Sequence, residues 1–195
     1  MSNASQIEIE IKVKIEKPES LLSFLRERAK ATGSSHQKDE YITPKHRSFL
    51  DVRPVTEWLR LRETDGKSSI TYKNFHYEAD GKTANFCDEY ETEVENIEAL
   101  RKIFLATDFQ LLVIVDKERQ TWRYEEYEIA IDEVKNLGSF VEIEYKGTNA
   151  NVDPTEVTSR MIDFLKEKNV GAIDRVHFGY PFLLLFPGEM KMDRM

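Results

Sequence analysis

Most of the chain alternates apolar and polar residues with the two-residue period of a β-strand. The clearest case is segment 6–14, where apolar and charged residues follow one another as Ile7, Glu8, Ile9, Glu10, Ile11, Lys12, Val13 and Lys14. A strand projects alternate side chains to opposite faces, so this segment has one apolar face and one charged face. Similar patterns predict strands at 39–42, 57–63, 68–75, 83–94, 111–117, 120–124, 126–132 and 140–146.

Other segments carry apolar residues at helical spacing. They are 18–30, with Gly33 as the expected stop, 97–107, and a helix that Asp153 caps and Pro154 opens. The dipeptide Asp65-Gly66 between two strand patterns indicates a hairpin turn, and 43–55 is expected to be a loop. The pattern therefore predicts one α+β domain over 1–186, with about eight strands and three or four helices, followed by a flexible tail at 187–195.

Composition narrows the class of protein. The 195 residues carry 36 acidic and 28 basic side chains, and the net charge of −8 disfavours a nucleic-acid partner. The single cysteine, Cys87, allows no intrachain disulfide and fits a reducing compartment, so a cytoplasmic location is expected. No apolar run approaches the length of a membrane span, no membrane partner is expected, and the four histidines lack zinc-ligand spacing.

The charged strand faces admit two interpretations. Each face, taken singly, fits the solvated side of a one-sided antiparallel sheet. However, acidic residues concentrate on some strands and basic residues on others, and amphipathic helices need an apolar sheet face to cover. If the helices pack outside, the charged faces line the interior of a closed eight-stranded β-barrel. Burying the charges of such a lumen is costly unless they pair with one another or bind a charged ligand. A complex of Mg²⁺ or Mn²⁺ with a polyphosphate is a ligand that fits.

A series of short motifs along the chain relates this hypothesis to a known protein family. The first is Glu8-Ile-Glu10-Ile-Lys12, an E-x-E-x-K signature near the N-terminus. It is followed by Lys38-Asp39-Glu40-Tyr41, Leu59-Arg60-Leu61-Arg62, Ile70-Thr71-Tyr72-Lys73, Glu89-Tyr90-Glu91, Asp116-Lys117-Glu118-Arg119, Asp132-Glu133-Val134 and the segment from Leu137 to Glu144. From about residue 6 to 186 the chain resembles the CYTH superfamily, the triphosphate tunnel metalloenzymes, and most resembles their class IV adenylate cyclases.

The resemblance implies a role for each matching residue. Four carboxylates would bind Mg²⁺ or Mn²⁺: Glu8, Glu10, Glu142 and Glu144. A fifth, Asp132, would be either an auxiliary ligand or a residue that supports the ligands without binding the metal. Six basic residues would bind the triphosphate: Lys12, Arg60, Arg62, Lys73, Lys117 and Arg119. The residues expected to carry catalysis are Glu8, Glu10, Lys12 and Glu142. The acidic residues Glu89, Glu91 and Glu93 would either contact a metal or balance the basic residues.

Three functions remain open at this point. The resemblance first implies conversion of ATP to cyclic AMP and pyrophosphate, in a protein expected to be a homodimer. The second function is hydrolysis of inorganic triphosphate or thiamine triphosphate in the same tunnel. The third is a non-catalytic polyphosphate-binding module, against which both E-x-E pairs argue. The general base stays undecided between Glu142 and a metal-bound water, and Trp58 and Phe75 either stack on a base or pack within the sheet.

Overall fold

The computed structural model describes residues 9–77, 84–148, 152–189 and 192–195. Within these ranges the chain has ten strands: β1 (Glu10–Ile15), β2 (Lys30–Pro44), β3 (Glu57–Thr64), β4 (Lys67–Tyr77), β5 (Ala84–Glu93), β6 (Phe109–Tyr124), β7 (Tyr127–Val134), β8 (Gly138–Tyr145), β9 (Ile173–Val176) and β10 (Met192–Arg194). The same ranges hold four helices: α1 (Pro18–Arg28), α2 (Ile97–Ala106), α3 (Pro154–Glu167) and α4 (Tyr180–Leu185). The predicted α+β class is confirmed.

Local signals set several of these boundaries. Asp65 and Gly66 both have positive φ angles, 46° and 80°, as the tight turn between β3 and β4 requires. The Asp153 carboxylate accepts a hydrogen bond from the backbone N–H of Thr155, and Pro154 is the first residue of α3. Each of these features depends on neighbouring residues alone, so the sequence predicts them correctly.

Two strands are longer than their patterns predict. The sequence predicts only 39–42 as strand, but β2 spans 15 residues and contains Gly33, the expected helix stop. Similarly, β6 is one continuous strand of 16 residues where two short strands are predicted. In β2 the Gly33 carbonyl accepts a hydrogen bond from the Thr121 hydroxyl of β6 at 3.3 Å. The N-terminal part of β2 is thus extended although its residues have a low intrinsic preference for strands, and it contacts a residue that is distant in sequence.

The described residues divide into two compact units. The first comprises the described parts of 1–35, 117–179 and 186–195, and the second comprises those of 36–116 and 180–185. Strands β10, β9, β1, β8 and β7 belong to the first unit, in that order, and β3, β4 and β5 belong to the second. Strands β2 and β6 each have residues in both units. The pairings β1 with β8, β7 with β8, β6 with β7 and β3 with β4 are antiparallel.

The prediction of a closed eight-stranded barrel is not supported. Along its whole hydrogen-bonded order the sheet of the described residues starts at β10 and ends at β5, without returning to its first strand. Strand β9 pairs with β1 on the side away from β8, and β10 pairs with β9, so the sheet extends there. Alternation along a strand specifies its two faces but not closure, which depends on strand tilt and stagger.

Helices cover the apolar side of each unit. In the first unit, β1 residues such as Ile11 and Val13 pack in one cluster with Leu25 of α1 and Leu165 of α3. In the second unit, Ile42, Leu59 and Leu61 form a cluster with Phe49 and with Ile97 of α2. None of the helices in the described ranges has the length and hydropathy that crossing a bilayer requires. The charged side chains of β1 and β3 lie on the faces opposite these clusters.

Candidate functional site

In the first unit, strand register collects charged side chains on one face. Lys12 of β1 lies opposite Glu142 of β8, and Glu10 lies opposite Glu144. On the neighbouring pair of strands, Arg119 of β6 lies opposite Asp132 of β7. Residues directly opposite in an antiparallel pair have side chains on the same face, within contact distance. The register thus brings together residues that are more than 100 positions apart in the sequence.

Four of these residues, together with Lys117 of β6, form a continuous ion-pair network, called here the Asp132 network: Lys12, Lys117, Arg119, Asp132 and Glu142. Arg119 donates to both Asp132 oxygens at 2.6 Å, and the Lys117 ammonium lies 3.0 Å from Asp132 Oδ2. Arg119 Nη2 also donates to Glu142 Oε2, and Lys12 Nζ lies 2.9 Å from Glu142 Oε1. The chain of contacts therefore alternates three cations with two carboxylates, and its members come from four strands.

Burial sets the protonation behaviour of this network. Lys117 and Asp132 are 5% and 1% exposed. Burial lowers the pKa of Lys117 to about 8, against the opposing effect of the Asp132 charge. Burial alone would raise the pKa of Glu142, but the charges of Lys12 and Arg119 outweigh it and the pKa is lowered. Glu142 is consequently a carboxylate at neutral pH, and its proton affinity is below that of an ordinary glutamate.

Two further carboxylates of the first unit lie opposite each other on paired strands. Glu10 and Glu144 are cross-strand neighbours, and Glu144 also accepts a hydrogen bond from Lys146. Their oxygen donors suit Mg²⁺ or Mn²⁺. Among the described residues, no group of three or more carboxylate, histidine or cysteine side chains is placed to hold a metal. Glu8, which the resemblance assigns as a ligand, lies outside the described residues.

In the second unit, the predicted triphosphate-binding residues Arg60, Arg62 and Lys73 belong to β3 and β4. Arg62 donates to both carboxylate oxygens of Asp39, each at 2.6 Å, and Asp39 is 2% exposed. Sequence reasoning did not single out Asp39, although it lies inside a quoted motif. The usable signal is its position two residues before Tyr41, which places both side chains on the same face of β2.

Acidic residues of β5 contact the other two predicted triphosphate-binding residues, Arg60 and Lys73. Arg60 Nη2 lies 3.2 Å from Glu91 Oε2, and Lys73 Nζ lies 2.9 Å from Glu89 Oε2. The hydroxyl of Thr71 accepts from Arg60 and donates to Glu91 at 2.8 and 2.6 Å. Of the two roles expected for these acidic residues, these contacts correspond to charge balance.

Tyr41 is a packed aromatic residue of the same unit. Burial, and next the charge of Asp39, raise the pKa of Tyr41 to about 12, so its hydroxyl is protonated at neutral pH. Its ring meets the ring of Trp58 edge-to-face, with 5.6 Å between centroids. This contact corresponds to the packing alternative for Trp58, since an edge-to-face pair is a common arrangement in protein cores.

Comparisons with known proteins agree with the motifs. The model of the CYTH domain matches residues 6–180. A Methanocaldococcus jannaschii protein named "putative adenylate cyclase" is 31% identical over 175 residues, covering 89% of this chain and 96% of that protein. The PH1819 protein of Pyrococcus horikoshii OT3 shares the fold, with a TM-score of 0.67 at 24% identity over 92% of this chain and 99% of its own.

A plant protein, HpAC1 from Hippeastrum, also shares the fold. Its TM-score is 0.64 at 20% identity, over 95% of this chain and 98% of its own. That protein is described as a "putative adenylyl cyclase" with a dominant triphosphatase activity. Similarity at this level extends to the fold, and the activity belongs to the plant protein.

Proposed function

Because this chain belongs to the CYTH family, we propose that it is an enzyme acting on a triphosphate and, specifically, an adenylate cyclase that converts ATP to cyclic AMP and pyrophosphate. The observation that carries the proposal is the Asp132 network. It presents three cations, Lys12, Lys117 and Arg119, on one face of the sheet, with carboxylates on the same face. Fixed ammonium and guanidinium groups are the side chains that bind phosphate oxygens most strongly.

The chain's own residues would bind and polarise the substrate. In the proposed reaction, the ribose 3′-hydroxyl gives its proton to a general base and its oxygen attacks the α-phosphorus. The bond from that phosphorus to the bridging oxygen breaks, and pyrophosphate leaves. Lys12, Lys117 and Arg119 would stabilise the negative charge that develops on the leaving phosphates. Glu142 is a poor candidate for the general base, because Lys12 and Arg119 lower its pKa despite its burial.

The metal belongs to the proposal as well. Glu8, Glu10, Glu142 and Glu144 would hold Mg²⁺ or Mn²⁺, and the cross-strand pair of Glu10 with Glu144 supports this donor set. When bound, the ion would neutralise phosphate charge and lower the pKa of a coordinated hydroxyl. The expected homodimer and cytoplasmic location also remain proposals.

Hydrolysis of a triphosphate is the second candidate. It uses the same cations, with water in place of the ribose hydroxyl as nucleophile. The specific observation in its favour is that HpAC1, a protein of the same fold, has a dominant triphosphatase activity. The name of the M. jannaschii relative, which is more similar in sequence, favours the cyclase.

A product assay decides between the two functions. Purified protein is incubated with ATP and Mg²⁺ or Mn²⁺, and nucleotides and phosphates are separated chromatographically. Cyclic AMP and pyrophosphate in equal amounts support the cyclase. Phosphate release from ATP or inorganic triphosphate, with no cyclic AMP under either metal, supports the triphosphatase. No turnover of any triphosphate would contradict both.

A further inference from the structure

We propose that Asp132 is a positioning residue that holds Lys117 and Arg119 in place for the triphosphate, and that it does not serve as a metal ligand. The inference rests on the proposed function for its substrate, and it decides between the two roles that the resemblance implies for Asp132. The contacts of its carboxylate carry the argument.

Both carboxylate oxygens of Asp132 already accept hydrogen bonds from cationic side chains. Oδ1 accepts from Arg119 Nε at 2.6 Å, and Oδ2 accepts from Arg119 Nη2 at 2.6 Å and from Lys117 Nζ at 3.0 Å. Arg119 and Asp132 form a bidentate salt bridge, which fixes the plane of the guanidinium group as well as its position. A metal ion at this carboxylate would have to displace contacts from two positive side chains.

Arg119 also lies between the two acidic residues that a shared metal would need to bridge. Its Nη2 atom donates to Asp132 Oδ2 and to Glu142 Oε2. A guanidinium group therefore links these carboxylates, and Lys12 occupies the other oxygen of Glu142. Glu142, with one such contact on each oxygen, keeps more acceptor capacity for a metal than Asp132, which has three.

The two cross-strand neighbours of Asp132 are one aromatic and one basic residue. Its neighbour on β8 is Phe140, which is 1% exposed, and its neighbour on β6 is Arg119 itself. Phe140 also lies opposite Lys14 in the pairing of β1 with β8. An apolar neighbour keeps water from one side of the carboxylate and strengthens its contacts with the two cations. The position is suited to an anchoring anion.

The consequence concerns binding of the triphosphate. Long basic side chains lose rotamer freedom when they bind a ligand, and an anchor that orders them beforehand reduces that cost. Removing the Asp132 charge should therefore weaken phosphate binding while leaving the metal requirement unchanged. A metal ligand would show the opposite pattern.

The test compares Asp132→Asn with Glu133→Gln, a control at the next residue, which is exposed and accepts a hydrogen bond from Ser139. Binding of inorganic tripolyphosphate is measured by isothermal titration calorimetry in EDTA, and again across a titration of MgCl₂ or MnCl₂. We expect Asp132→Asn to weaken metal-free binding about tenfold or more, with half-saturating metal changed less than about twofold. Glu133→Gln should match the wild type in both.

The opposite result overturns the inference. If Asp132→Asn binds tripolyphosphate like the wild type but needs about tenfold more metal, Asp132 is a ligand. A second readout needs no substrate: hydrogen exchange of the Arg119 Nε–H, followed by ¹⁵N NMR. Slow exchange in the wild type and fast exchange in Asp132→Asn support anchoring, whereas equal rates contradict it. If the wild-type protein binds no tripolyphosphate, the proposed function fails. The exchange rate of the Arg119 Nε–H still tests whether Asp132 holds Arg119 in place.

A variant that does not fold is replaced by a pair of variants. The double variant Asp132→Asn with Lys117→Met removes both buried charges, and it is compared with Lys117→Met alone. Weaker tripolyphosphate binding and faster Arg119 Nε–H exchange in the double variant support the inference. Equal binding and equal exchange in the two variants overturn it.

Discussion

Replacing Arg119 by alanine breaks the Asp132 network at its centre. Arg119 makes three hydrogen bonds to carboxylates, two to Asp132 and one to Glu142. After the replacement, Asp132 keeps its contact with Lys117 and Glu142 keeps its contact with Lys12. Neither carboxylate is left without a cation. The variant therefore measures how much the Arg119 bridge between Asp132 and Glu142 contributes to the free energy of unfolding. It does not measure the cost of a buried charge left without a partner.

These contacts bound the size of the effect. Hydrogen bonds to charged groups contribute roughly 1.5–3 kcal/mol each, and removing one partner of a buried ion pair costs about 3–5 kcal/mol. The Arg119 side chain is 23% exposed, and both acidic residues retain one cation. The expected loss in the free energy of unfolding is therefore about 2–4 kcal/mol. At roughly 2–4 °C per kcal/mol for a chain of this size, the melting temperature should fall by about 5–15 °C.

Urea denaturation monitored by circular dichroism and tryptophan fluorescence measures this loss, with Arg123→Ala as the matched control. Arg123 lies on the same strand, and its Nη2 donates to the Lys146 carbonyl at 3.2 Å. That variant should lose about 1 kcal/mol or less. If Arg119→Ala is no more destabilised than Arg123→Ala, the network does not stabilise the fold and the reasoning is refuted.

The remaining predictions concern turnover and acid stability. Glu8→Gln and Glu10→Gln should each abolish turnover while leaving the circular dichroism spectrum unchanged, and retained turnover in both would remove them from the metal site. Arg60→Ala should mainly raise KM for the triphosphate by about tenfold, and unchanged KM and kcat would exclude it from binding. Hydrogen bonds from Arg47 hold the pKa of Glu57 below its usual value in the folded protein. The Glu57 carboxylate therefore stabilises the fold fully at pH values above the ordinary carboxyl pKa, and this stabilisation is lost as the pH falls through the pKa of Glu57 in the folded state. The melting temperature of Glu57→Gln should accordingly fall less between about pH 5 and pH 3 than that of the wild type. An equal fall in both proteins contradicts this role of Glu57.

Some features of this protein follow from sequence because they depend on neighbouring residues. Alternation in β1 specifies which side chains are apolar and which are charged, and the helices do pack on the apolar side. The Asp65-Gly66 turn and the Asp153 cap are correct for the same local reason. The ordered motifs also identify the family that the CYTH domain match confirms.

The tertiary structure alone decides how distant strands combine. The open strand order depends on β9 pairing with β1, which no local pattern encodes. The pairs of Arg62 with Asp39 and of Arg119 with Asp132 arise because antiparallel register places each acid directly opposite its arginine, and both acids are then nearly excluded from water. Sequence alone identifies these side chains as charged. Register and burial determine which cation each carboxylate holds, because only close approach in a dry environment makes such a pair strong.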